Sequence, residues 1–187
     1  MGKILLVVDT DGRKDVERRT FSFMFEHQVG GASSTRNGVH GSITPPDELG
    51  RMPSVLVNCY DECGRFPAVV PDEVQGGATA TRLLLEAGHR RIAFVNDAAP
   101  SPASVGRLAG YKAALARFDV DFDPSLVLSV TADQEGGYGA AAQVLATGAT
   151  GVFCHNDRTR SACTTRCGNR GNACRTIFPW SVSTTRK

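Results

Sequence analysis

Short apolar runs that stop at an Asn or Asp, separated by stretches of helical character, constrain this chain more than any other feature. Ile4-Leu5-Leu6-Val7-Val8 ends at Asp9, Ser54-Val55-Leu56-Val57 at Asn58, and Ile92-Ala93-Phe94-Val95 at Asn96-Asp97. Gly151-Val152-Phe153-Cys154 ends in the same way, at His155-Asn156-Asp157. Continuous apolar runs of this length are the pattern of parallel strands buried on both faces. Ala68-Val69-Val70 and the weaker run from Leu126 to Val130 add two more. Between them, residues 13–28, 73–87, 104–118 and 137–146 read as helices, with Gly88 placed to end the second. Strands alternating with helices at this spacing predict an α/β fold built from βαβ units with parallel sheets.

Composition narrows the classes. Of the 187 residues, 41% are apolar and 21% charged, as in an ordinary protein with a packed core. A formal net charge of +2 is too small to argue for a nucleic acid or an anionic membrane. No apolar run approaches the roughly 20 residues of a membrane span. The opening MGKILLVVDTDG is shorter than a secretory signal core and lacks a small-residue cleavage site, so a cytoplasmic location is expected. No disulfides are then expected among the six cysteines.

Ligands of open parallel sheets sit beyond the carboxyl ends of the strands. The residues there are Asp9, Asn58, Asn96, Asp97, Asn156 and Asp157, all short and able to offer donors or acceptors to a sugar-like molecule. Each of them singly is equally a turn former. No nucleophile stands beside a base, and His27, His40, His89 and His155 are scattered. Gly76-Gly77 and Gly136-Gly137 do not complete a dinucleotide-binding loop after a strand, and no phosphate-binding loop ending in Lys-Ser or Lys-Thr exists. A binding module is expected, without catalytic residues or cofactor. Cys163, Cys167 and Cys174 are spaced C-x₃-C-x₆-C, outside the repeated pairs that hold zinc, so no metal site is expected.

The succession VPDEVQGG, ATRLLLEAGHRRIAFVN, SVGRLAGYKAALARF and ATGVFCHND closely resembles the effector-binding core of lac repressor/galactose repressor family transcription regulators. The similarity spans residues 3–29 and 43–159, with VVDTDGRKDVERRTFSFMFEHQV resembling a strand and helix of the first lobe. The resemblance implies a periplasmic-binding-protein-like fold of two Rossmann-like lobes that clamp a sugar or similar metabolite. It also implies a DNA-binding headpiece ahead of the core and operator binding as a homodimer. Carried over, Arg107 of RLAGY and Asn156 of HND match ligand-bonding positions, with Asp157 next to Asn156, and Asn58 matches a strand-end contact. The expected division is a partial first lobe over residues 1–71, a second lobe over 72–159 and an aberrant tail over 160–187. In this reading the headpiece and the start of the first lobe are absent, so operator DNA is a partner of an intact parent protein only. A sugar-transport binding protein shares the fold and is the alternative, but it needs an export signal.

Two stretches break the pattern. Residues 30–42 are polar where a strand is due, and from Arg158 to Lys187 there are seven Arg or Lys and no acidic residue. Codons for Ala162 through Lys187, read one base earlier, permit G-V-Y-D-A-L-R-E-Q-G-K-R-V followed by P-D-D-F-P-V-V-G-F-D-N-Q-E. That is an amphipathic helix, a turn and an apolar strand. Two bases of each shifted codon are fixed by this sequence, so agreement over about two dozen positions is hard to assign to chance. The same shift turns Gly31 to Arg36 into G-G-I-I-Y-A, an apolar strand. Out-of-frame translation is the expected origin of the tail, which should then be poorly packed and leave the second sheet without its last strand. Sugar binding should be weak or lost with it. Sequencing the coding DNA is expected to return codons that allow both shifted readings; third bases that forbid them would refute this origin.

Overall fold

The computed structural model describes residues 4–36, 40–168 and 175–177. The chain divides into two compact units, the first ending at Val70 and the second beginning at Pro71.

The first unit holds α1 (Lys14–Glu26), β1 (Ala32–Thr35), β2 (Gly41–Ile43), β3 (Ser54–Val57), β4 (Cys59–Asp61) and β5 (Ala68–Val69), with a 3-10 turn at Asp47–Arg51. Its strands pair in parallel, as a sheet of order β1-β3-β5 and a two-stranded sheet β2-β4. Phe21, Leu49, Leu56 and Cys59 form its buried core, with Met24, Ile43 and Phe66 packed against them. Two expectations need correction. Ile4–Val8 is not a strand, and its side chains are exposed, from 99% at Ile4 to 42% at Val8. An apolar run becomes a strand only where a neighbour takes its backbone hydrogen bonds, and no described strand pairs with this one. Conversely, the patternless Ala32–Thr35 is a strand, in register with Ser54–Val57. Its partner β3 fixes its conformation, overriding the weak preference of Ala and Ser. Residues 37–39, within the same anomalous stretch, lie outside the described residues.

The second unit contains α2 (Glu73–Glu86), β6 (Ile92–Asp97), α3 (Pro102–Arg117), β7 (Val127–Val130), α4 (Gln134–Ala146), β8 (Gly151–Cys154), α5 (Asp157–Gly168) and β9 (Arg175–Ile177). One parallel sheet of order β7-β6-β8-β9 runs through it. Central β6 explains the layering, because successive side chains of a strand point to opposite faces. Ile92 and Phe94 pack with Leu84, Leu85, Tyr111, Leu115 and Phe153 on the α2/α3 side. Ala93 and Val95 pack with Ala140, Ala141, Val144, Val152 and Cys163 on the α4/α5 side. Phe94 stacks on Phe153 with ring centroids 4.3 Å apart, and the Tyr111 hydroxyl donates to the Ile92 carbonyl at 2.9 Å. Burial pushes that phenol up to about 12.

The tail also departs from expectation. Residues 157–168 form α5, and Thr159 and Cys163, one turn apart, are fully buried. Small side chains on that one face suffice to seat the helix against α4, although most of its other residues are polar. β9 adds a fourth strand alongside β8, so the second sheet does not end where the sequence suggested. Residues 169–174 and 178–187 of the tail lie outside the described residues. Among the described residues no helix is long and apolar enough to cross a membrane.

Two glycines let α2 and α3 touch backbone to backbone. A Cβ at Gly110 would fall on the Val74 carbonyl oxygen, and one at Gly77 on the Arg107 carbonyl oxygen. Gly110→Ala is therefore expected to cost about 1–3 kcal/mol through overpacking. The measurement is urea unfolding, read as a lower midpoint at an unchanged slope.

Candidate ligand site at the strand ends

In the second unit every helix that follows a strand begins at the carboxyl edge of the sheet, and α2 starts at the same edge. Arg107, on the second turn of α3, lies there with its side chain 17% exposed. Its Nε donates to Glu73 Oε2 at 2.6 Å, and Nη1 donates to the His155 carbonyl. Glu73 opens α2 and is itself 10% exposed, so the pair is screened little by water. His155, just beyond β8, is buried, and its Nδ1 shares a hydrogen bond with Asn96 Oδ1 at 3.1 Å. Since an amide oxygen only accepts, Nδ1 carries the proton. Asn96 Nδ2 in turn donates to the Ser104 carbonyl at 3.1 Å. These bonds tie together α2, α3, β6 and the residue after β8 at this edge.

Burial, and then the Arg107 charge, push the His155 imidazole down to about 4, against opposing pulls from Asp97 and Glu73. The ring is therefore neutral at physiological pH, and Arg107 carries the positive charge of the cluster.

Of the residues expected from sequence, Arg107 lies here, and Asn156 and Asp157 follow His155 in the chain. Asn156 Oδ1 accepts from the Thr159 backbone N–H at 2.9 Å, and its Nδ2 donates to the Ala132 carbonyl at 2.8 Å. Both ends of the carboxamide therefore hold the start of α5 in place. Asp157 is exposed and pairs with Arg160 at 3.2 Å. Asn58 belongs to the first unit. It ends β3 with φ of 58°, a left-handed conformation that Asn tolerates, and its Nδ2 donates to the Arg36 carbonyl at 2.9 Å. Arg36 and Cys59 beside it line a hollow of about 770 Å³ together with Asp9, Lys14, Glu17 and Asp61. The Arg65 guanidinium holds the Asp61 carboxyl below its usual range.

Sequence reasoning missed Glu73 and the part played by His155. Glu73 lies 34 positions from Arg107, and nothing in local spacing pairs them. His155 follows a strand directly, which was the available signal.

The lowered His155 value sets a direction for stability. The unfolded chain takes up a proton near 6.5 and the folded chain only near 4, so stability falls as pH drops through that interval. The loss at the acid end is about 3 kcal/mol at most. Urea unfolding across this pH range should show it, and His155→Gln should flatten the difference.

Residues 2–176 match the family model of periplasmic binding proteins and the sugar-binding domain of the LacI family. The transcriptional repressor PurR of Vibrio atlanticus is 25% identical over 159 residues, which is 83% of this chain and 48% of that protein. The chain thus spans about half the length of the curated relatives it matches. Among solved structures, a LacI-family regulator from Rhizobium etli superposes with a TM-score of 0.76 at 21% identity, over 92% of this chain and 66% of the other. A LacI-family regulator from Enterococcus faecium with bound ribose gives a TM-score of 0.64 at 26% identity, over 90% and 61%. Parallel sheets, strand-end polar residues and these matches agree, and the chain belongs to the family of periplasmic binding proteins and LacI-type sugar-binding domains.

Proposed function

We propose that this chain is the effector-binding core of a transcription regulator and takes a sugar-like small molecule at the carboxyl edge of the sheet of its second unit. The observation that carries this reading is Arg107, a fork of donors held at a strand-end edge by Glu73 and the His155 carbonyl. Exposed Asp157 supplies a further polar group beyond β8 in the second unit, where Asn156 holds the start of α5. No proton transfer or bond cleavage is asked of these residues, and the chain acts as a binding module rather than an enzyme. The relatives it matches are transcription regulators, which favours this role over sugar transport. Operator DNA and a second copy of the chain are partners of the longer parent protein in this reading. The effector shifts its balance between DNA-competent and released states by differential affinity.

Sugar binding by this chain is expected to be weak, on the order of millimolar. Titration with D-ribose and D-glucose, followed by the NMR signal of the Arg107 Nε–H group, should show a saturable shift. Arg107→Lys keeps the charge but loses the planar fork, and should weaken binding by about tenfold or more. Binding of equal strength in that variant, or no shift with either sugar, would reject the reading.

A further inference from the structure

We propose that Glu73 makes this site selective for neutral polyhydroxyl ligands and against phosphorylated or carboxylated ones. The proposal rests on the sugar-site reading above and goes further, to the charge class of the ligand.

The argument begins with what an anion would find. Arg107 is already neutralised: its Nε meets Glu73 Oε2 at 2.6 Å, with both side chains largely withdrawn from water. A phosphate approaching the guanidinium would meet the Glu73 carboxylate on the same group, a like-charge juxtaposition in a poorly screened place. Helix N-termini are the other usual anion sites, because their free N–H groups point at the ligand. Here their own residues occupy them. Asp72 accepts from Gln75 N at the start of α2, and Ser101 accepts from Ser104 N at α3. Asp133 accepts from Gly136 N at α4, and Asn156 from Thr159 N at α5. Two of these four caps are carboxylates.

The remaining charges point the same way. Asp72, Glu73, Asp97, Asp133 and Asp157 lie on the elements that meet at this edge, against Arg107, Arg158 and Arg160. Arg160 is engaged by Asp157. Two guanidinium groups are thus paired within the cluster, and the acidic groups are in excess. A hydroxyl ligand suits this arrangement, since it can donate to the carboxylates as well as accept from Arg107.

Glu73→Gln is close to isosteric and removes only the charge, leaving a part-buried guanidinium open to an anion. The test compares this chain, Glu73→Gln and the charge-retaining Glu73→Asp by NMR titration with D-glucose, D-ribose, D-glucose 6-phosphate and D-ribose 5-phosphate. Wild type and Glu73→Asp are expected to favour each neutral sugar at least tenfold over its phosphate ester. Glu73→Gln should lose that preference, through tighter binding of the esters. The inference is overturned if wild type prefers the esters, or if Glu73→Gln leaves the ratio unchanged while sugars still bind. If none of the four molecules binds any variant, the sugar-site reading itself falls.

Discussion

The second unit depends on a single strand with two buried faces. β6 places Ile92 and Phe94 on one side and Ala93 and Val95 on the other, and each set has its own pair of helices. The side chains decide how near those helices come. Aromatic rings fill the α2/α3 layer, where Phe94, Phe153 and Tyr111 meet. Alanines and valines line the opposite layer, where α4 and α5 pack closely over Ala140 and Cys163. Packing of this density leaves β6 no freedom of register, since a slip by one residue would exchange the two faces. The same rigidity carries Asn96 to a fixed point at the strand end. From there its carboxamide orients the His155 ring and closes on Ser104.

How much of this was legible in the sequence depended on whether an element stabilises itself or borrows from a neighbour. β6, β8 and the helices around them announced themselves through apolar runs and periodicity. Ile4–Val8 has a strand's composition, yet composition supplies no hydrogen-bond partner. Ala32–Thr35 has almost none of a strand's composition, yet the edge of β3 makes it one. α5 was obscured because its buried face consists of Thr159 and Cys163, residues that carry little hydrophobic signal. At the site, Arg107 was found through the resemblance of RLAGY and not through its chemistry. Its carboxylate partner was invisible, since Glu73 reaches it only after two helices cross at Gly77 and Gly110. Asn156 was legible as a polar strand end, but its role as the cap that holds the start of α5 is set by the tertiary structure.

A LacI-family regulator with about a quarter of its residues in common with this chain shares its fold over 90% of the chain. Side chains such as Glu73, which meets Arg107, are laid over that frame and are not dictated by the backbone.

The burial of Cys154 and Cys163 on the same side of the β6/β8 layer has a consequence for reactivity. Water-borne alkylating reagents and oxidants reach neither sulfur while α5 is seated on α4. Chemical attack at these two positions therefore waits on detachment of the helix, whereas exposed Cys63 reacts without any such opening. The rate at which the two buried sulfurs become labelled is a clock for the opening of α5, written into the chain by the segment whose sequence least resembled a structural element.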